Sequence, residues 1–297
     1  MTSGEDFERS LSVALPASLV SDTPHLREKT AKLGFVARAC TIFGVNEIIL
    51  YMDDARRDLT SDLDLCVELL RYLDTPPYLR KRLYGLSPFF KFAGILPPLQ
   101  SPHHNVPRSI AESKVGDLRV GIVISRRSGK VEVDAGLERS LICPGDLPGG
   151  ARLTLRLTGL GKSLTGEIVD ESKIYVSQPG IQPIYWGYTV HKMKSFSSAL
   201  KDRLWDLKIG TSRFGIPVQD VLPTLSQDLK TSRSTLVAFG SPKMGLREIL
   251  EQEKFDPKNV FDYFVNTAPD QQTVTVRTEE AILVSLGILN LVRKFTG

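Results

Sequence analysis

Cysteine is scarce: Cys40, Cys66 and Cys143 stand far apart in a chain of 297 residues. Three widely spaced thiols fit neither a disulfide framework nor the paired ligands of a structural zinc site, so reduced, buried cysteines are expected. Histidine is almost as rare, with four residues. His103 and His104 are adjacent, but no carboxylate cluster accompanies them, and no metal is expected. Long apolar runs are missing too. A membrane-spanning helix needs roughly 18–20 such residues, whereas Ala281 to Val292 is a dozen long and contains Asn290. Glu5, Asp6 and Glu8 occupy the place of the basic flank of a secretory leader. A cytoplasmic location is therefore expected, nuclear or nucleolar in a eukaryote, without membrane association.

Several catalytic signatures are also absent. Gly161-Lys162-Ser163 lacks the earlier glycine of a phosphate loop, since Arg156 stands there, and strand-like Gly166 to Val169 follows where a helix is required. There is no Gly-x-Gly-x-x-Gly, Gly-x-Ser-x-Gly or His-Glu-x-x-His. Net charge is only +4, from 38 basic and 34 acidic residues, too small to imply an anionic partner by itself.

What is present is alternation of strands and helices. Leu11 to Leu15 reads as a buried strand. Thr23-Pro24 offers a helix start, Leu26, Thr30, Leu33, Ala37 and Cys40 recur at helical spacing, and Gly44 closes the helix before a strand from Val45 to Tyr51. A second helix behind Ser61 and Asp62 ends before Pro76-Pro77. From about Phe89 the texture changes to short alternating runs at Arg119–Ile124, Lys130–Val133, Arg152–Leu157, Gly166–Val169 and Lys173–Val176, which suit a small OB-like barrel better than a sandwich. Alternation resumes near Tyr185, with a helix over Ser195–Leu204 and a strand over Leu207–Gly210. A short helix over Pro217–Leu222 follows, then two strand-loop-helix units. The expected division is 1–90 and 183–297 for one α/β domain and 91–182 for a barrel inserted into it, with Pro97 to Gly116 as a linker or flexible arm.

Two stretches point to ligands. Gly240-Ser241-Pro242-Lys243-Met244-Gly245 lies between a strand-like run ending at Phe239 and a helix-like one starting at Leu246, and its glycines permit positive φ or close backbone approach. Val265-Asn266-Thr267-Ala268-Pro269 reads as a strand end and loop. Val276-Arg277-Thr278-Glu279-Glu280 then opens a long apolar helix, expected to be buried against its own core and a partner. Thr278 suits an N-cap and the glutamates suit the positive helix end, so capping explains them without catalysis. Arg277 gains nothing from the dipole and is a candidate for facing an anionic substrate. Arg80, Lys81 and Arg82 sit between Tyr78 and Tyr84, a pattern suited either to gripping single-stranded nucleic acid or to a basic helix end over packed aromatics. His191, Lys192, Lys194, Lys201, Arg203 and Lys208 are read as solvated helix charges.

The order of Ser12 to Pro16, Phe92 to Leu96, Ser101-Pro102-His103-His104, Gly210-Thr211-Ser212, Phe239 to Leu246 and Arg277 to Ala281 resembles the SPOUT superfamily of knotted RNA methyltransferases. The resemblance is to its archaeal and eukaryotic branch, in which an OB-like domain interrupts the knotted one, and it spans nearly the whole chain. It implies an α/β fold with a trefoil-knotted, mostly parallel sheet, helices on both faces and an inserted OB-like barrel. It also implies a homodimer, S-adenosylmethionine as cofactor and RNA, rRNA above all, as partner. The implied cofactor residues are Thr211, Ser212, Phe239, Gly240, Ser241, Gly245, Leu246, Asn266, Thr267, Ala268, Pro269, Val276 and Thr278. RNA contacts are expected from Arg80, Lys81, Arg82, His103 and His104. One departure stands out: Gln271-Gln272 replaces the usual Gln-Gly, and a side chain there is expected to crowd the cofactor or shift the loop.

The branch is associated with methylation at uridine N3, a nitrogen that must lose its proton before it is nucleophilic. The implied roles are charge stabilisation on the uracil oxygens by Arg277 and assistance in proton removal by Glu279 or Glu280. A non-catalytic RNA-binding or ribosome-assembly factor that keeps the knot and barrel is the alternative; a small-molecule methyltransferase fits the basic aromatic stretch less well.

Overall fold

The computed structural model describes residues 9–170 and 185–295. Contacts divide the chain into two compact units. One combines residues up to Leu73 with Pro88–Pro98 and everything from Tyr188, and the other combines Asp74–Ser87 with Leu99–Gly187.

The first unit is built on strands β1 (Ser10–Pro16), β2 (Glu47–Tyr51), β8 (Thr189–Met193), β9 (Leu207–Pro217), β10 (Ser234–Ala238) and β11 (Tyr263–Asn266), numbered along the chain. They form one six-stranded sheet in the order β11-β9-β10-β1-β2-β8, and every neighbouring pair is parallel. Parallel strands are buried on both faces, which is why β1, β2 and β10 read as nearly continuous apolar runs. Alternate residues separate the faces. Ala14, Ile49, Tyr51, Leu236 and Ala238 pack with α4 (Phe196–Lys201), α6 (Leu246–Gln252) and α7 (Pro257–Val260) through Phe196, Ala199, Leu246, Ile249, Leu250 and Val260. Thr235 and Val237 face the other way, toward Leu229 of α5 (Leu222–Thr231) and Leu286 and Leu289 of α8 (Thr278–Lys294). There α8 packs on both α5 and α1 (Leu26–Ile42).

Local chemistry explains the element ends, with some corrections. Helix α1 starts at Leu26 with His25 as N-cap; the Thr23 hydroxyl donates to Asp22 instead of capping. Gly44, at φ 68°, closes it, with the Val45 N–H donating to the Cys40 carbonyl at 2.9 Å. Helix α2 (Thr60–Asp74) is capped by Asp58, which accepts from the Thr60 N–H, and not by Ser61 or Asp62. Helix α8 buries Ile282, Ser285, Leu286, Leu289 and Val292 at helical spacing while Val284 and Leu291 stay exposed.

In the second unit, β3 (Leu118–Arg127), β4 (Lys130–Asp134), β5 (Leu141–Pro144), β6 (Arg152–Leu160) and β7 (Leu164–Val169) close a barrel in the order β3-β4-β5-β7-β6. Val131, Val133, Leu141, Cys143, Leu155, Leu157 and Leu164 fill it. Gly121 is required inside, because a Cβ there would lie 2.4 Å from a Val133 methyl. Strand β5 was not expected, and the expected strand Lys173–Val176 lies outside the described residues. The supposed flexible arm is tied down from Leu99 onward. His103 and His104 each hold the Asp74 carbonyl at 2.8 Å through Nε2. Fully buried Arg119 donates to the Pro107 carbonyl at 2.7 Å.

Candidate functional site

Strands β11, β9 and β10 are neighbours and parallel, so their carboxyl ends share one edge of the sheet. Open α/β sheets bind ligands beyond that edge. Three loops meet there. The Thr211 hydroxyl donates to the Ala238 carbonyl at 2.9 Å, joining the first loop to the end of β10, from which the second loop leaves. The Asn266 amide donates to the Arg213 carbonyl at 3.0 Å, and the Arg213 guanidinium to the Val274 carbonyl at 2.8 Å, joining the first to the third. A longer contact of 3.4 Å runs from the Thr278 hydroxyl to the Gly240 carbonyl.

The second loop is the most constrained. The Phe239 carbonyl accepts from the fully buried Tyr51 hydroxyl at 2.7 Å, and the Phe239 N–H donates to Ala14. Ser241 and Met244 close the turn, the Ser241 N–H donating to the Met244 carbonyl at 2.7 Å and the Met244 N–H to the Ser241 hydroxyl at 3.0 Å. Neither glycine uses positive φ. Gly240 is needed for close approach, because a Cβ would sit 2.9 Å from the Gly245 Cα and the Leu246 nitrogen. The Phe239 and Leu246 side chains are core, so only their backbone groups can meet a ligand. Thr267 turns toward α8, its hydroxyl 2.7 Å from that of buried Ser285. The Ala268 N–H donates to the Asn266 side chain, which shapes the bend ahead of Pro269. The Gln272 side chain folds onto its own loop, donating to the Asp270 carbonyl at 2.9 Å, with Asp270 at φ 59°.

The helix start corrects three assignments. Arg277, not Thr278, is the N-cap of α8, and its backbone N–H donates to the Glu280 carboxylate at 3.0 Å. Glu280 is thereby occupied as a cap. Glu279 lies 3.2 Å from the Lys32 ammonium on α1, and both side chains are largely buried. Lys32 also holds Asp22 at 2.8 Å. Burial pushes the Asp22 carboxyl up, but the Lys32 hydrogen bond and charge outweigh it and leave it below the usual range. Glu279 therefore anchors two helices. Arg277 is exposed, and among the described residues no carboxylate pairs with its guanidinium.

Sequence reading missed the acidic end of β2. Asp53 is buried and accepts from both the N–H and the hydroxyl of Ser18. Asp54 accepts from Arg56 at 2.9 Å, and that hydrogen bond holds its carboxyl low. Arg56 also reaches Met244 of the second loop, at 3.9 Å from the sulfur. Two carboxylates directly after a buried strand were the available signal.

The barrel-bearing unit revises the RNA-contact set. His103 is fully buried, so it cannot touch RNA and serves the packing around Asp74. His104 is pushed down to about 4, by burial first and the neighbouring His103 second. On α3 (Pro77–Leu83), Arg80 donates to the Thr75 carbonyl and Arg82 pairs with Asp134 at 2.7 Å, while Lys81 is exposed. The Tyr78 hydroxyl donates to the Val120 carbonyl, as the packed-aromatic reading requires.

A family model described as "Putative RNA methyltransferase" matches residues 10–289. The 28S rRNA (uridine-N(3))-methyltransferase of Mus musculus is 34% identical over 307 residues, covering 94% of this chain and 76% of that protein. That of Homo sapiens is 34% identical over 306 residues, covering 94% and 77%. A protein of Haloarcula marismortui, of no stated activity, is 31% identical over 294 residues and covers 94% and 98%. With one family spanning both units and the strand-end loops, the chain belongs to the RNA methyltransferases that this family model describes.

Proposed function

We propose that the chain is an S-adenosylmethionine-dependent methyltransferase acting on N3 of a uridine in ribosomal RNA. One observation carries the reading: in a member of an RNA methyltransferase family, three loops from adjacent parallel strands close on one another at the carboxyl edge of the sheet. They offer backbone amides and carbonyls and the Thr211 and Thr278 hydroxyls, on a turn that Gly240 lets close tightly on Gly245. That set suits a purine and an amino-acid moiety. Residues Thr211, Ser212, Phe239 to Ser241, Gly245, Leu246, Asn266 to Pro269, Val276 and Thr278 would hold the cofactor, Phe239 and Leu246 through backbone groups only.

The bound cofactor supplies an electrophilic methyl group. The protein's part is to align the uracil and to stabilise the negative charge left when N3 loses its proton. Arg277, exposed and without a carboxylate partner among the described residues, takes the second task by pairing with the uracil oxygens. Glu280 remains the candidate to accept the proton, at the expense of its cap. Glu279, held by Lys32, is a positioning residue for the helix that carries Arg277.

The proposal includes a deep trefoil knot and a homodimer. The sheet order, with β10 inside β9 and β11 returning outside it, supports threading of the C-terminal segment. Exposed Phe35 and Ile42 on α1, with Val284 and Leu291 on α8 and Phe295 just beyond it, supply an apolar surface for a second copy. The barrel-bearing unit is assigned to RNA binding. Titration calorimetry with S-adenosylmethionine, followed by incubation with rRNA, tests the reading. Cofactor binding and methyl incorporation are expected; RNA binding without cofactor heat would identify a non-catalytic assembly factor instead.

A further inference from the structure

We infer that Phe214, steadied by Arg213, is the platform on which the target uracil stacks, which makes it a specificity and positioning residue and not a chemical one. This rests on the methyltransferase reading above and extends it to the nucleobase. Strand β9 pairs with β11 at Ile209 and Gly210 and resumes pairing at Ile216 and Pro217, so residues 211–215 leave the ladder as an excursion at the sheet's carboxyl edge.

The excursion is braced on every side. The Thr211 hydroxyl is bonded to Ala238, the Arg213 carbonyl to the Asn266 amide, and the Arg213 guanidinium to Val274. The Phe214 N–H donates to the Ser212 hydroxyl at 3.2 Å. Gly215 admits no side chain, since a Cβ would lie 2.5 Å from the Val265 carbonyl carbon. Folding an aromatic ring normally buries it, yet this scaffold leaves Phe214 66% exposed. The Arg213 guanidinium lies 4.5 Å over the ring, so one face is covered by a cation and the residue remains available to a second planar group. Val274, whose carbonyl holds the Arg213 guanidinium, and Ile216, two residues along the strand, are also exposed.

A pyrimidine fits this arrangement. Its π-face stacks on the open face of the Phe214 ring, on the side away from the Arg213 guanidinium. The excursion belongs to the loop cluster assigned to the methyl donor and is bonded to the loop that leads to Arg277, so a base seated there lies where N3 must be presented.

The test compares Phe214→Ala, Phe214→Tyr and Phe214→Trp. Phe214→Ala is expected to lower kcat/KM for RNA by roughly 5- to 150-fold, the range for loss of one stacked base, with cofactor affinity unchanged. The Tyr and Trp variants should stay within a few fold of the wild type. The fluorescence added by Phe214→Trp should be quenched saturably by a uridine-containing oligonucleotide, a readout that does not need turnover. A wild type that neither binds the cofactor nor transfers methyl, but whose Trp variant is quenched, sinks the methyltransferase reading and leaves base stacking standing. Unaltered kinetics in Phe214→Ala, cofactor affinity falling in step with activity, or a shift to monomer by light scattering would each overturn the platform.

Discussion

Replacing Glu279 by glutamine separates an anchor from a base. Lys32 is only 6% exposed and lies between two carboxylates, Asp22 at 2.8 Å and Glu279 at 3.2 Å. Removing both partners of such a cation would cost about 3–5 kcal/mol. Glu279→Gln removes one and leaves Asp22 in place, so a loss of about 1–3 kcal/mol is expected. In a unit of this size that lowers the midpoint of thermal unfolding by about 2–12 °C. Scanning calorimetry reads this shift, and methyl transfer measured well below the transition should remain within a few fold of the wild type. A variant with unchanged Tm and turnover reduced a hundredfold or more would refute the reasoning and return Glu279 to the chemistry. The reciprocal change, Lys32→Met, strands both carboxylates. Asp22 has a lowered pKa in the native state, so its stabilisation is complete above the ordinary carboxylate value and fades as pH falls through the lowered one. Without Lys32 that pKa rises, and acidification should partly relieve the damage.

Arg277→Ala should lower kcat by about 10²–10³, with the cofactor Kd within a few fold; equal losses in binding and rate would remove its charge-stabilising role. Gly240→Ala places a methyl against the Gly245 backbone, so calorimetry should show loss of cofactor affinity well beyond the change in Tm. The His104 imidazole has a native pKa of about 4 against an ordinary value near 6.5, so the unfolded chain binds the extra proton between those values. Stability should therefore fall as pH drops from about 6.5 to 4, by at most about 1.4 kcal/mol per pH unit, and His104→Gln should flatten that slope in pH-dependent denaturant titrations.

The parallel sheet was legible because its strands are buried on both faces and stay apolar for three to four residues, as in Ile48 to Tyr51 and Leu236 to Ala238. The barrel was legible through alternation, except at Leu141–Pro144, where four residues ending in proline give too short a signal. The loop positions could be read from glycine and threonine placed between a strand and a helix. What side chains do at long range could not. Nothing local tells that Glu279 meets Lys32, 247 positions earlier in the chain, or that His103 turns inward to Asp74. Nor does local sequence show that Tyr51 supports the Phe239 carbonyl. Helix starts shifted by one or two residues because several polar side chains compete for each cap. Asp58 prevailed over Ser61 and Asp62, and Arg277 took the position expected of Thr278.

Mass spectrometry of nucleosides from rRNA incubated with the protein and methyl-labelled S-adenosylmethionine addresses the central claim most directly. The label is expected on a single uridine, as N3-methyluridine, and is expected to vanish with Arg277→Ala. Label on another atom or another base, or none despite measured cofactor binding, would contradict the account.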